Sequence, residues 1–319
     1  MVREPEIVCM KKWILKAVIQ KGISVLPYKH QINYLFQKFI TKGVQLSPQY
    51  FEDRLIHLKE HLYFYQKHKG NLSECRALEL GTGWYPVIPI GLFLAGAKDI
   101  KTIDISALTN KDNVLLTMKL FLAWEEKGQL KAFLTPLPER LARIRRLSEA
   151  GKQLDLTALL AELHISYLVG DARALPLADA SLNFITSNNT FEHIYPDILR
   201  DILRDFNRVL EPNGLMSHFI DMSDHFAHLD GSITIYHFLR FSEKQWQWID
   251  NDVQPQNRWR MHHYRQLYKT LGIPITEEKN RPGDLVALHQ QPIDEAFHTI
   301  SDMELAISHG YVVSLKATV

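Results

Sequence analysis

The feature that most constrains this chain is the run Arg76-Ala-Leu-Glu-Leu-Gly-Thr-Gly-Trp-Tyr85, in which an apolar segment breaks into two glycines one residue apart. A strand ending this way turns tightly, because Gly81 and Gly83 carry no Cβ, and its backbone can come close to a ligand. A helix-compatible segment, Val87 to Leu94, follows, and then a second apolar run, Ile100 to Ile105, with an acid at Asp104. Strand, glycine turn, helix and acid-ended strand read as one βαβ nucleotide-binding unit. Asp104 stands 25 positions beyond Glu79, near the roughly 20-residue offset of an acid that accepts from a ribose diol. Tyr85 and Pro86 occupy the place where a pyrophosphate would rest on the helix N-terminus, which favours a ligand without a diphosphate.

Two later segments extend the pattern. Leu168-Val-Gly-Asp-Ala-Arg-Ala-Leu-Pro-Leu-Ala-Asp-Ala-Ser-Leu-Asn-Phe-Ile-Thr-Ser187 runs into Asn188-Asn-Thr-Phe-Glu-His-Ile194. An amphipathic helix over Leu199 to Leu210 then leads through Arg208-Val-Leu-Glu-Pro-Asn-Gly214 into an apolar strand, Leu215 to Asp221. These three segments, in this order, resemble the glycine loop, the third-to-fourth-strand segment with its E-H motif, and the turn before the fifth strand of class I S-adenosylmethionine-dependent methyltransferases of the small-molecule type. Three positions depart from that pattern: Tyr85 stands for the third glycine, Asn183 for an Asp and Asn213 for a Gly. Asn tolerates positive φ, so the last turn is expected to survive.

The resemblance implies an α/β fold, Rossmann-like and doubly wound, with a mostly parallel seven-stranded sheet. To this the chain adds an N-terminal helical extension or cap over 1–70, a helical insertion over 107–164 and a lid over 222–260, the core being 71–319. Helices are expected from Tyr50 to Tyr65, opened by Ser47-Pro48 and closed by Gly70, and over Asn113 to Glu126, Glu139 to Ala150 and Asp155 to Leu163. A capped helix is expected within Phe241 to Ile249 and another over Arg258 to Leu271, with final strands at Ile273 to Glu278 and Tyr311 to Leu315. Arg140, Arg143, Arg145 and Arg146 read as a solvated helix face.

By the same resemblance, S-adenosyl-L-methionine is the cofactor. Glu79, Gly81 and Gly83 would frame its methionine part, Asp104 its ribose, Asp171 and Ala172 its adenine, Asn188 would contribute through its backbone, and Thr82 and Ile105 would be further cofactor-binding residues. Methyl transfer is an in-line displacement in which the protein mainly holds donor and acceptor together. Where the nucleophile carries a proton, His193, just past the fourth strand, or His225 is a candidate base. Trp84, Tyr85 and His228 are candidate acceptor contacts. Asp221, Asp224, His225 and His228 superficially have metal-ligand spacing, but loops rich in His and Asp commonly hold none, and no metal is expected.

With 37 Lys+Arg against 36 Asp+Glu, the net charge of +1 lacks the basic footprint of a nucleic-acid enzyme. Cys9 and Cys75 form no disulfide or zinc pattern, which suits a cytoplasmic setting. Lys11 to Lys21 is too short and too charged to span a bilayer, though its lysines, Trp13 and aliphatics suit an interface. The leading expectation is an enzyme methylating N, O or C of a small apolar or aromatic metabolite, as in natural-product tailoring. One alternative is a peripheral-membrane quinone or lipid methyltransferase; another is a non-catalytic binding protein with the same fold.

Overall fold

The computed structural model describes residues 11–27 and 45–317; Cys9 and the parts of the N-terminal helical expectation in 1–10 and 28–44 lie outside them. In chain order the elements are α1 (Lys12–Ser24), α2 (Pro48–Lys69), β1 (Arg76–Leu80), α3 (Val87–Leu94), β2 (Asp99–Asp104), α4 (Lys111–Glu126), α5 (Pro138–Ala150), α6 (Leu156–Ala161) and β3 (Ile165–Val169). There follow β4 (Leu182–Asn188), α7 (Pro196–Val209), β5 (Leu210–Asp221), α8 (Glu243–Ile249), α9 (Met261–Thr270), β6 (Glu277–Arg281), α10 (Leu285–Leu288), α11 (Asp302–Ala306) and β7 (His309–Leu315).

The chain forms two compact units. The larger comprises 45–220, 265–279 and 310–319, and the smaller 1–44, 221–264 and 280–309. Helix α2 belongs to the larger unit, with the sheet, whereas α1 belongs to the smaller one, with the segment after β5. The larger unit carries a seven-stranded sheet in the order β3-β2-β1-β4-β5-β7-β6. The first five strands pair in parallel. The order reverses between β1 and β4, which makes the doubly wound arrangement with a crevice at the carboxyl ends of those strands.

Local chemistry sets the helices. Ser47 accepts the Tyr50 N–H at 3.1 Å, Pro48 opens α2, and Gly70 at φ +84° ends it. On α7, Leu199, Ile202, Leu203, Phe206 and Val209 form the buried stripe, each contributing about 1.5–3 kcal/mol by leaving water. Its outer face carries ion pairs such as Arg200 with Asp197 and Arg204 with Asp201. All eight residues of α3 are buried, and α2 lies so close that a Cβ on Gly91 would stand 2.1 Å from Leu58 Cδ2. The helices between β2 and β3 contribute Met118, Phe121, Leu130, Ile144, Leu147 and Leu159 to the same apolar core.

Two expectations need correction. The strand expected at Ile273 to Glu278 lies instead at Glu277–Arg281, because Pro274 has no N–H to give a ladder. The arginines of α5 are not all solvated: Arg140 stacks over the Phe93 ring at 4.4 Å, and Arg143 donates to the Glu162 carbonyl at 3.2 Å. Asn213 stands at φ +60°, so the turn before the apolar half of β5 takes the left-handed conformation without glycine.

Candidate functional site

The β1 bend is built as its sequence requires. Gly81 has φ +87° and Gly83 φ +62°. A Cβ on Gly81 would stand 2.4 Å from Thr190 Oγ1, whereas one on Gly83 would meet nothing within 4 Å. One side of the bend is therefore packed against the residues after β4, and the other is open. Thr82 is turned inward, its hydroxyl 2.6 Å from that of Thr102, so it presents backbone and no side chain to the crevice. The Trp84 carbonyl accepts from Thr109 Oγ1 (3.1 Å) and Asn113 Nδ2 (3.0 Å), tying the loop to the start of α4. Tyr85 is half-buried against the core.

Asp104, the last residue of β2, closes the bend. Its Oδ2 accepts the Gly83 N–H at 3.0 Å and its Oδ1 the Ser106 N–H at 3.2 Å. Burial raises its pKa, and these backbone donors pull the other way. With backbone donors from Gly83, Ser106 and Ile105, the carboxylate still has acceptor capacity left for a diol. Ile105 is 71% exposed beside it. Glu79 is buried, with Thr102 Oγ1 3.4 Å from its Oε2. Burial pushes its carboxyl well above the usual range, opposed by Arg54, Thr102 and Asn188.

The two residues expected to flank an adenine are arranged less openly than their sequence suggests. Asp171 holds the Arg173 guanidinium with both carboxylate oxygens, Nε lying 3.0 Å from Oδ1 and 2.8 Å from Oδ2. Hydrogen bonds from Arg173 depress its pKa. Ala172 is buried beside it.

Helix α2 supplies two residues that sequence reasoning did not single out. His61 is fully buried, with Nε2 2.9 Å from Asn188 Oδ1 and Nδ1 2.7 Å from Ser217 Oγ. An amide oxygen only accepts, so Nε2 carries the proton and Nδ1 receives the Ser217 hydroxyl. Burial lowers the His61 pKa to about 3, and this neutral imidazole fixes the Asn188 side chain at the tip of β4. Arg54, two turns earlier on the helix, has a side chain only 14% exposed. Its guanidinium lies 4.8 Å from the Tyr50 ring centre, and its Nε donor has no hydrogen-bond partner. Burial would lower its pKa, but Tyr50, Asp53, Glu192 and Glu79 together raise it. A buried cation with a spare donor, sharing the field of Glu79, suits a carboxylate.

The histidines fall into different settings. His193 ends a 3-10 turn, Phe191–His193, after β4 and is half-buried. His225 and His228 belong to the smaller unit, their rings stacked 5.3 Å apart. Asp221 lies 3.5 Å from His225 Nε2 and 3.2 Å from His309 Nε2. Burial alone would raise its pKa, yet the hydrogen bonds from those two imidazoles hold it well below the usual range. Asp224 faces His237 at 3.3 Å instead. The two acids of the Asp221-to-His228 spacing thus serve different imidazoles. In the same unit, Trp246 is buried and donates to the Gln256 carbonyl at 2.9 Å.

Residues 132–217 match the family model of a methyltransferase domain. No curated protein matches the chain. Solved structures similar to it include a protein of Pyrococcus horikoshii, at 13% identity and TM-score 0.49 over 88% of this chain and 98% of that one. An S-adenosylmethionine-dependent methyltransferase of Mesorhizobium loti is 14% identical, with TM-score 0.43 over 80% of this chain and 96% of that one. Phosphoethanolamine N-methyltransferase 2 of Haemonchus contortus, solved with S-adenosyl-L-methionine, is 14% identical, with TM-score 0.42 over 81% of this chain and 52% of that one.

Proposed function

We infer that this chain is a class I S-adenosylmethionine-dependent methyltransferase acting on N, O or C of a small apolar or aromatic metabolite. One observation carries the reading: at the β1/β4 reversal, a bend open on the Gly83 side is closed onto the Asp104 carboxylate by the Gly83 N–H. The residues suit the donor. Asp104 keeps acceptor capacity for a ribose diol, Glu79 offers a carboxyl to an ammonium, and Arg54 offers a buried guanidinium to a carboxylate.

The bound donor supplies a methyl group made electrophilic by its sulfonium. The chain's part is to hold the two reactants in line and to keep water out. Gly81 and Gly83 let the backbone approach. Asn188, held by His61, defines the edge of the crevice at β4. Trp84 and Tyr85 are proposed as apolar acceptor walls, and His193 or His225 as proton acceptor where the nucleophile carries one. Ile105, Asp171 and Ala172 are proposed to flank ribose and adenine, with Asp171 first having to share its oxygens with Arg173.

Titration calorimetry with S-adenosylmethionine tests the proposal. The wild-type chain should bind, and Asp104→Asn should bind at least about tenfold more weakly, the loss of one charge-assisted hydrogen bond. Heatless titration of a folded wild-type protein would remove the basis for the whole reading.

A further inference from the structure

The outer face of α1 has a composition that donor binding does not use. Leu15 is 45% exposed and Val18 60%, and in the turn that directly follows the helix Val25 is 81% and Leu26 47% exposed. With Lys11 and Gly22, Leu15, Val18 and Val25 follow a spacing of three and four, so they form one stripe along the helix. The opposite face is well anchored in its own unit. Ala17, Gln20 and Ile23 are buried, the Trp13 N–H donates to Asp230 at 3.1 Å, and Lys21 donates to the carbonyls of Gln247 (2.9 Å) and Asp250 (2.7 Å). Lys16 is drawn inward as well, 5.3 Å from the Phe226 ring centre. Lys11 and Lys12 remain exposed at the start of the stripe.

Charge selects the occupant. Between Glu6 and Glu52 the chain has no acidic residue, while lysines recur at Lys11, Lys12, Lys16, Lys21, Lys29, Lys38 and Lys42. In a protein whose net charge is only +1, the exposed Lys11 and Lys12, at the start of a helix that carries no acidic residue, make this aliphatic stripe complementary to a surface both apolar and negative. Among the described residues no helix is long and apolar enough to cross a membrane, so such a surface would be met side-on.

We propose that the outer face of α1 docks on an anionic lipid surface, burying Leu15, Val18, Val25 and Leu26 at the level of the headgroups with Lys11 and Lys12 against lipid phosphates. The inference goes beyond methyl transfer and does not depend on it, since it concerns only where the enzyme sits.

Co-sedimentation of the full chain with large unilamellar vesicles of phosphatidylcholine, with and without phosphatidylglycerol, tests this without any methyl donor. Binding is expected only with phosphatidylglycerol and should fall as salt is raised. Lys11→Gln and Lys12→Gln should each weaken partitioning about fivefold. Leu15→Gln with Val18→Gln should weaken it about tenfold, and circular dichroism should show the fold retained, because all four side chains already face water. Equal binding to both vesicle types, no binding to either, or indifference to the lysine changes overturns the proposal. So does sedimentation velocity in which the chain self-associates through this face, with Leu15→Gln/Val18→Gln dissolving the dimer and leaving vesicle binding untouched.

Discussion

Replacing Gly81 by Ala separates two costs that the bend places on one residue. At φ +87° any L-residue gives up about 1–2 kcal/mol to Cβ crowding. The added Cβ would also stand 2.4 Å from Thr190 Oγ1 and 3.1 Å from its Cγ2, an overpacking that typically costs about 1–3 kcal/mol. The expected loss is therefore about 2–5 kcal/mol, a large part of a native stability of about 5–15 kcal/mol. Gly83→Ala is the internal control. It meets φ +62° and open space, so only the about 1–2 kcal/mol backbone cost applies. A third protein, Gly81→Ala/Thr190→Ala, removes the two nearest atoms while leaving the backbone cost, and should recover about 1–3 kcal/mol relative to additivity. Thr190→Ala alone completes the cycle, and urea unfolding followed by near-ultraviolet circular dichroism, alongside calorimetry with S-adenosylmethionine, measures all four variants. Gly81→Ala should show reduced stability and weakened donor binding. If it matches wild type in both, or if the cycle is strictly additive, the bend is not packed as described.

The buried imidazoles predict acid sensitivity. His61 and His218 are fully buried, and burial lowers both pKa values from 6.5 to about 3. Above pH 6.5 neither state takes up the proton and their neutral packing is fully stabilising; as pH falls from 6.5 towards 3 only the unfolded chain is protonated. Near pH 5 each should cost about 2 kcal/mol, and urea midpoints between pH 7.5 and 5 that do not move would contradict the burial. Arg54→Met should weaken S-adenosylmethionine binding about tenfold to a hundredfold, the worth of a charged hydrogen bond. The same variant should bind 5′-methylthioadenosine, which lacks the amino-acid part, as wild type does; an equal loss for both ligands would mean that Arg54 only supports the fold.

Much of the fold was legible because its signals are local. Ser47 and Pro48 announced α2, Val87 to Leu94 was continuously apolar, and Ser242 with Gln245 forms the reciprocal cap that starts α8. Strand ends marked by Gly81 and Asp104 likewise carried their meaning within a few residues. What stayed hidden depends on partners distant in sequence. His57 and His61 fall in phase with Phe51, Leu55, Leu58 and Leu62 on the buried face of α2, and a polar residue at a core phase requires a partner. The partners, Tyr311 for His57 and Asn188 and Ser217 for His61, are supplied only by the assembled sheet. Arg54 gave no signal either, since a single Arg on an amphipathic helix looks solvated until the strand tips surround it. Asp171 is a different case: the residue that claims its oxygens, Arg173, stands only two places on.

The smaller unit is stitched from three stretches, the last reaching residue 309. During synthesis its first stretch therefore leaves the ribosome long before the pieces it must join, while β1 to β4 can pair without it. The fully buried Arg260 binds the carbonyls of Met222, Leu305 and Ile307, so this cation keeps its water until residues 305–307 arrive. A nascent polypeptide stalled before residue 305 would leave Arg260 hydrated and the smaller unit without its last stretch.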